Sequence, residues 1–295
     1  MNNSATDIFE AERRRLTSLA YRMLGERSAA EDIVQNAWLR WQDIDHSKIE
    51  TPAAWLTTVT TRLAIDSLKS ARANREIYVG VWLPEPFITE QDGENPEETL
   101  AQNESVELAI LWAMERLAPE ERAAFILREA FDTDYADIAD ILGKTESACR
   151  KLIERARKRI DEKAPRYETP AQDVRDLLTR FMMAVQAKDK TEILSLLSPD
   201  ALALTDGGGK VRAALRPLKG AEEIAQVFLA LAAKDRQIDR LEWMEVNGQP
   251  ALLSIGDEDT EMLVTLRADK GGRIAWIYIM RNPDKLQNAI SFATS

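Results

Sequence analysis

Two short amphipathic segments on either side of one glycine, within residues 134–160, constrain the fold of this chain most strongly. In the first segment, apolar residues recur at helical spacing behind Asp134, which is an acceptable N-cap. Gly143 then supplies the left-handed residue that ends a helix cheaply, and Thr145 can cap the next helix. That second helix has one apolar stripe, formed by Cys149, Leu152, Ile153, Ala156 and Ile160. The pattern predicts a helix-turn-helix.

The second of these helices is basic, although the chain as a whole is acidic. Residues 144–160 contain seven Lys or Arg against two Glu, whereas the net charge of the chain is −11. An acidic protein has no general affinity for nucleic acid, so any DNA contact must come from such a local face. A recognition helix in a major groove would present Ser147, Arg150, Lys151 and Arg155 to the duplex. The alternative is an ordinary helical hairpin with a solvated charged face.

Composition limits the remaining classes of protein. A chain of 295 residues with 45% apolar residues suits about two domains with real cores. We expect a cytoplasmic protein without a membrane segment, because no apolar run of about eighteen residues and no signal-peptide pattern occur. One cysteine excludes an internal disulfide, and one histidine excludes a His-rich metal site, so no cofactor is expected. Cys149 is predicted to be a buried, inert thiol rather than a redox sensor.

Residues 5–75 predict a compact helical domain. Its second helix leaves a polar side made of Asp32, Gln35, Asn36 and Arg40, and its third helix begins at Thr51-Pro52, where proline is tolerated. The outward side of the third helix includes Thr58, Arg62, Lys69 and Arg72. Trp55 could stack on a nucleic-acid base, but we expect it to pack the domain because it shares a face with apolar neighbours.

Residues 76–104 predict an extended linker, because they contain eight carboxylates, several prolines and no basic residue. Inside it, the apolar and proline-rich WLPEP segment (residues 82–86) is expected to dock on another surface. Residues 105–163 complete a four-helix domain around the helix-turn-helix.

Three segments in this order resemble the extracytoplasmic-function sigma factors: SAAEDIVQNAWLRW, PAAWLTTVTTRLAIDSLKSARANRE and ACRKLIERARKRI. The resemblance implies that Asp32, Gln35, Asn36 and Arg40 bind the clamp helices of the β′ subunit of the RNA polymerase core. It implies that Thr58, Arg62, Lys69 and Arg72 hold the melted promoter DNA, with a flipped-base pocket at residues 46–51. It also implies that Ser147, Arg150, Lys151 and Arg155 bind the upstream promoter element.

Residues 168–295 predict a different fold. Two helices precede a strand at 202–205, a helix follows at 221–233, and four strand-like runs follow it at 238–246, 251–255, 261–268 and 273–280. This order resembles the SnoaL-like cone, an α+β fold with a curled antiparallel sheet. The fold class is therefore two all-α domains followed by a SnoaL-like domain, as in the sigma factor subgroup numbered forty-one.

Three short motifs form the predicted regulatory contact. We expect the linker WLPEP to dock on DGGGK (residues 206–210) and NPDKL (residues 282–286), and Asp206 to pair with Lys210 across the glycines. Reversing the charge of Asp206 or Lys210 should then change promoter activity without unfolding the protein. The residues are Trp82, Leu83, Pro84, Glu85, Pro86, Asp206, Gly207, Gly208, Gly209, Lys210, Asn282, Pro283, Asp284, Lys285 and Leu286.

The favoured function is a sigma factor with its regulator in the same chain, which performs no covalent chemistry and requires no separate anti-sigma factor. An alternative is an enzyme of the isomerase or cyclase type, with candidate acids Asp206, Asp257 and Glu261 in loops expected to be solvated. The cone could hold a small ligand, although Phe181, Trp243, Met262 and Trp276 are expected to be core. A third interpretation is a ligand-gated helix-turn-helix regulator.

Overall fold

The computed structural model describes residues 5–75, 78–88, 108–161, 169–234, 238–256 and 261–294. The chain divides into two compact units, each built from two segments. The first unit combines Met1–Glu76 with Ile110–Lys163, and the second combines Ile77–Ala109 with Ala164–Ser295. The two predicted helical domains therefore belong to one unit, and the predicted linker is grouped with the C-terminal domain.

Three helices form the N-terminal part of the first unit: α1 (Ala5–Leu24), α2 (Arg27–Gln42) and α3 (Pro52–Arg75). Helix α1 ends at Gly25, which has a φ of 70° and satisfies the carbonyl of Tyr21. The three apolar faces meet around Trp41, which is fully buried. Its indole N–H donates a hydrogen bond to the carbonyl of Ala5 at 2.8 Å, so the largest core side chain has no unsatisfied polar atom.

Four further helices complete the first unit: α4 (Leu108–Met114), α5 (Pro119–Glu129), α6 (Tyr135–Leu142) and α7 (Glu146–Asp161). Gly143 ends α6 with a φ of 63°, and the Thr145 hydroxyl accepts a hydrogen bond from the backbone N–H of Ala148, as predicted. Asp134 is the N-cap residue of α6, as predicted, but its side chain makes no capping hydrogen bond. It lies 3.8 Å from the Arg128 guanidinium, which draws the carboxylate away from the helix end.

The second unit contains four helices and one sheet. The helices are α8 (Ala171–Gln186), α9 (Lys190–Leu196), α10 (Ala221–Ala232) and α11 (Pro283–Thr294). The strands are β1 (Leu197–Asp206), β2 (Leu218–Lys219), β3 (Ile238–Val246), β4 (Gln249–Gly256), β5 (Met262–Ala268) and β6 (Ile274–Met280). Helices α8 and α10 cover one face of the sheet, and Phe181 meets Phe228 edge-on in the core between them.

The sheet has the strand order β2-β1-β6-β5-β4-β3. Strand β1 pairs with β6 in parallel, and the other neighbours are antiparallel. The sheet is therefore mixed, which corrects the predicted antiparallel sheet. A parallel pair needs a long crossover connection, so β1 and β6 are neighbours in the sheet although they are far apart in the sequence. Because the two strands run in the same direction, their C-terminal ends lie at the same edge of the sheet.

Two elements of the second unit have no counterpart in the prediction. Strand β2 is only two residues long, and the segment from Pro283 forms helix α11, whereas the sequence analysis assigned no helix or strand after residue 280. Within the residues that the structure describes, no helix is long and apolar enough to cross a membrane.

Candidate nucleic-acid interface and linker contact site

Helix α7 presents the predicted recognition surface of the first unit. Its apolar stripe is buried, and Ser147, Arg150, Lys151 and Arg155 are all exposed on the opposite side. The Arg150 guanidinium lies 4.7 Å from the ring centre of Tyr135 and 2.8 Å from the Glu146 carboxylate, so its position is restrained before any ligand arrives. Backbone contacts of the turn and packing of the stripe thus fix the direction in which these cations point.

Glu121 is a buried partner of this basic surface that the sequence analysis missed. Its side chain is 5% exposed and lies 3.1 Å from Arg155 and 2.6 Å from Arg159. It also accepts a hydrogen bond from the backbone N–H of Ala118, at the start of α5. The one carboxylate therefore ties α7 to α5 and partly neutralises the basic end of α7. A glutamate three residues after the start of a helix indicates a capping role in the sequence. It does not predict the ion pairs with Arg155 and Arg159.

The polar side of α2 is a separate exposed surface. Asp32, Gln35, Asn36 and Arg40 are all exposed on it, and the Asn36 side chain is held by the carbonyl of Asp32 at 2.9 Å. Leu39 lies on the same side and is 50% exposed. Single exposed leucines are common on protein surfaces, so Leu39 is of interest only because it lies beside Gln35 and Asn36, and its helical spacing from them could have identified it in the sequence.

Helix α3 carries the residues predicted to hold melted DNA. Lys69 is exposed and lies 3.9 Å from Glu120, and Thr58 is half-buried because its hydroxyl bonds back to the carbonyl of Ala54. The Arg72 side chain falls outside the described residues. Trp55 packs 5.4 Å from the Trp41 ring, in agreement with the expected packing role.

Arg62, the fourth of these residues, contacts the helix-turn-helix instead of pointing freely to solvent. Its guanidinium donates to the carbonyls of Ile141 at 3.0 Å and Asp140 at 3.1 Å, at the C-terminal end of α6. The last carbonyls of a helix carry partial negative charge and lack partners within the helix, so a cation binds there favourably. These two bonds use two of the five N–H donors of the guanidinium, and Arg62 remains exposed.

In the second unit, the three motifs meet around the carboxylate of Asp206. Asp206 is fully buried and accepts hydrogen bonds from the Tyr78 hydroxyl at 2.5 Å and the backbone N–H of Leu83 at 2.9 Å. The backbone N–H of Gly208 also donates to it at 2.9 Å. The Lys285 ammonium lies 2.9 Å from the same carboxylate. We name the contact among residues 78–88, 206–210 and 282–288 the linker contact site.

The charge pairs of this site differ from the predicted pair. Lys285 bridges Asp206 and the carbonyl of Leu83, which it reaches at 2.6 Å, and its ammonium lies 4.3 Å from the Trp82 ring centre. Lys210 instead binds Asp284 on the surface at 2.6 Å. The prediction that Asp206 pairs with Lys210 is therefore wrong, because β1 points Asp206 inward while the three glycines carry Lys210 out to solvent.

The glycines of DGGGK allow the segments to approach closely. A Cβ atom added at Gly208 would lie 2.5 Å from the Asn282 side chain, and one at Gly209 would lie 3.2 Å from Val79. Both glycines have φ values near 70°, a conformation that side chains disfavour. The amide of Asn282 in turn donates to the Tyr78 hydroxyl at 3.0 Å.

The end of the described linker adds to the edge of the sheet. Phe87 donates to the Asn247 side chain at 3.0 Å and accepts from its backbone N–H at 2.8 Å, and Ile88 forms an antiparallel bridge with Val246. Glu85, which is 7% exposed, accepts from Asn288 at 3.2 Å. Leu83, Pro84 and Pro86 are also buried. Main-chain bonds to a sheet edge hold the segment regardless of its side chains, and buried residues set its register.

The candidate residues for the enzyme and ligand interpretations lie in different environments. Asp206 is saturated by partners and has no free edge for a substrate, Glu261 is half-buried, and Asp257 lies outside the described residues. Phe181 belongs to the core and Met262 packs against it, but Trp243 is 37% exposed, so the prediction of a core role for Trp243 is wrong. The described part of the chain contains no group of three acidic, His or Cys side chains that could hold a metal ion.

The chain matches two sequence families. Residues 8–74 match sigma-70 region 2, and residues 107–160 match sigma-70 region 4. These two regions, together with the exposed basic face of α7, define an RNA polymerase sigma factor of the sigma-70 type.

Similar proteins narrow this class. The sequence is 36% identical over 286 residues to the extracytoplasmic-function (ECF) RNA polymerase sigma factor SigJ of Mycobacterium tuberculosis, with 94% of this chain and 91% of that protein covered. It is 30% identical to the probable ECF sigma factor SigI of the same species, with 94% and 93% covered. The crystal structure of SigJ superimposes with a TM-score of 0.73 at 33% identity over 94% of this chain and 96% of that one. The chain belongs to the ECF RNA polymerase sigma factor family and directs promoter-specific transcription initiation by the polymerase core.

Proposed function

We propose that this sigma factor binds the polymerase core through α2, binds two promoter elements through α3 and α7, and carries a SnoaL-like regulator that acts through the linker contact site. The regulator is part of the chain, so no separate anti-sigma factor is required. The observation that carries the regulatory part is the buried bridge from Lys285 to both Asp206 and the linker carbonyl of Leu83.

The proposed core-binding surface consists of Asp32, Gln35, Asn36 and Arg40 around the exposed Leu39. A carboxylate at its edge favours steering toward the basic clamp helices of the β′ subunit, and an apolar centre supplies buried area. Leu39→Asp should abolish co-elution with the polymerase core. Leu241→Asp is the matched control and should co-elute normally, since Leu241 is similarly exposed but lies on β3 of the second unit.

The proposed duplex-binding surface consists of Ser147, Arg150, Lys151 and Arg155, and the proposed surface for melted DNA consists of Thr58, Arg62, Lys69 and Arg72. Phosphate contacts release counterions, so each cation contributes to the salt dependence of binding. Lys151→Ala should reduce the slope of log affinity against log salt by about 0.9. An unchanged slope would remove Lys151 from the interface.

The regulatory role of the linker contact site can be tested by transcription. Lys285→Ala removes the bridge between the linker and Asp206, and should change the yield of run-off transcripts from a supercoiled promoter template at least about fivefold. Lys190→Ala removes an exposed ion pair with Glu222, outside the linker contact site, and serves as the control. Equal yields from both variants and the unmodified protein would contradict regulation through this site.

A further inference from the structure

A buried carboxylate borders the proposed duplex-binding surface. Glu121, the third residue of α5, has a side chain that is 5% exposed, whereas the side chains of Arg155 and Arg159 on α7 are 59% and 50% exposed. A charged carboxylate is costly to bury alone, so the burial of Glu121 depends on its partners. Those partners are the two arginines of α7 and the backbone N–H of Ala118.

The ion pair with Glu121 holds one edge of the Arg155 guanidinium. One carboxylate oxygen lies 3.1 Å from Nε of Arg155, and the other accepts a hydrogen bond from Arg159 at 2.6 Å. Because Nε is the guanidinium nitrogen nearest the side-chain stem, the pair leaves the two terminal nitrogens of Arg155 for a ligand. A bidentate contact to guanine or to a phosphate uses two such donors. Arg155 is therefore held at one edge while it presents another to DNA.

Glu121 also offsets the repulsion between the two arginines. Arg155 and Arg159 are four residues apart on one helix, a spacing at which like charges repel. The carboxylate pairs with both of them from a different helix, α5, which packs against α7. An arginine side chain loses conformational entropy when it binds a ligand, and one that is already held loses less. Because Glu121 is buried, salt screens its ion pairs less than the exposed pair of Arg150 with Glu146.

We infer that Glu121 is a positioning residue for recognition of the upstream promoter element, and that it acts through Arg155. The inference rests on the proposed function of the duplex-binding surface. Neutralising Glu121 leaves the charge of Arg155 in place but releases its guanidinium. Arg155 then continues to bind phosphates of any sequence, but it loses the fixed orientation that contact with a particular base requires. Affinity for the upstream element should therefore fall, while affinity for other sequences should not.

The test uses the holoenzyme formed by the full-length protein with the polymerase core. The probe is a promoter fragment that this holoenzyme selects from a random-sequence pool, and the reference is the same fragment with its upstream element scrambled. Glu121→Gln keeps an oxygen for the backbone N–H of Ala118 but loses the charge, and should reduce the ratio of the two affinities about fivefold. Glu129→Gln is the matched control. It removes a carboxylate of the same helix from Arg157, outside the proposed surface, and should leave the ratio unchanged.

A double-mutant cycle tests whether the effect passes through Arg155. Arg155→Ala should lower the same ratio, and Glu121→Gln should lower it no further in the Arg155→Ala background. A ratio that Glu121→Gln leaves unchanged, or lowers equally in both backgrounds, overturns the inference. If Arg155→Ala itself has no effect, the inference fails together with the assignment of Arg155 to the duplex-binding surface.

Two further measurements separate positioning from a general loss of structure. Loosening of α5 from α7 would lower the melting temperature and weaken binding of both fragments together, and that result would contradict the inference. The slope of log affinity against log salt for the scrambled fragment should not fall in Glu121→Gln, because both arginines keep their charge. If Glu121→Gln does not fold, Glu121→Asp takes its place in the cycle. It keeps the charge but withdraws the carboxylate from Arg155 by one methylene group, so the ratio should again fall.

Discussion

At the scale of single residues, the two lysine–aspartate pairs of the linker contact site differ in burial. The side chains of Lys285 and Asp206 are 9% and 0% exposed, whereas those of Lys210 and Asp284 are 56% and 59% exposed. Removing one partner of a buried pair leaves an uncompensated charge in a medium that solvates it poorly, while an exposed pair is replaced by water. The buried pair should therefore contribute more to the free energy of unfolding than the exposed pair, although both join a lysine and an aspartate in the same site.

Asp206→Ala should accordingly lower the free energy of unfolding by about 3–5 kcal/mol, and Asp284→Ala by less than about 1 kcal/mol. Urea denaturation of both variants checks this difference. Similar losses would mean that water reaches the Asp206 site. Reversing the charge of Asp206 should therefore unfold the protein, contrary to the expectation from the sequence, because a lysine at this position would place two buried cations together.

The single cysteine gives a second prediction at this scale. Cys149 is fully buried in the apolar stripe of α7, and burial raises the pKa of its thiol. Only the thiolate attacks a disulfide reagent, and raising the thiol pKa lowers the thiolate fraction at any pH below it. At pH 8, the native protein should react with a thiol-specific dye only as fast as it unfolds, and urea should restore rapid labelling. Rapid native labelling would favour a redox sensor.

Residue partners were the least predictable part of the candidate site. The sequence indicated that WLPEP, DGGGK and NPDKL meet, but it assigned Asp206 to the nearest lysine along the chain. The true partner is Lys285, 79 positions away, and only the parallel pairing of β1 with β6 places those two segments together. The hydrogen bond from Tyr78 to Asp206 could not be predicted, because Tyr78 lies outside the three motifs.

At the scale of secondary-structure elements, long periodic segments were predictable from the sequence. Very short elements, and features that depend on tertiary contacts, were not. The apolar stripe of α7 and the left-handed Gly143 follow from local spacing, and both occur. Strand β2 has two residues, too few for a period, and helix α11 begins at a proline that reads equally as a turn. Strand direction depends on which strands become neighbours, and no local pattern encodes that choice.

The DGGGK loop allows a matched prediction at the same scale. Gly208 and Gly272 both have left-handed φ values, 65° and 73°, but a Cβ at Gly208 meets Asn282 while the space around Gly272 is open. Alanine costs about 1–2 kcal/mol of backbone strain at either position, and the clash at Gly208 should add about 1–3 kcal/mol. Thermal unfolding of Gly208→Ala and Gly272→Ala measures the difference. Equal melting temperatures would show that Asn282 moves aside without cost.

At the scale of the whole molecule, the sequence indicated four consecutive segments, and the structure groups them into two units. Regions 2 and 4 share the first unit because α5 packs against α1 and α3, and α6 against α3. Arg122, which is 1% exposed, donates to the carbonyl of Arg22 at 3.2 Å and pairs with Glu115. A buried arginine in a short amphipathic helix is easily mistaken for part of a solvated face, so this packing was not predictable from periodicity.

The contact between Arg62 and the end of α6 gives the prediction that applies to the whole first unit. If Arg62 turns fully to the DNA during initiation, it exchanges its bonds to the carbonyls of Asp140 and Ile141 for a phosphate, and the contact with α6 is then specific to the polymerase-free protein. Arg62→Ala should speed amide hydrogen exchange in the last turn of α6 roughly fivefold, the effect of losing about 1 kcal/mol of hydrogen bonding at a partly exposed site. Arg180→Ala, which breaks an exposed pair with Glu192 in the second unit, should leave that turn unchanged.

Adding polymerase core and promoter DNA to the unmodified protein should speed exchange in the same turn to a similar extent, because the guanidinium then turns to the DNA. If exchange at residues 140–143 is the same with and without polymerase and promoter, Arg62 keeps its contact during initiation. In that case Lys69 and the rest of α3 would have to hold the melted strand without it, and the salt dependence of promoter binding should be unaffected by Arg62→Ala.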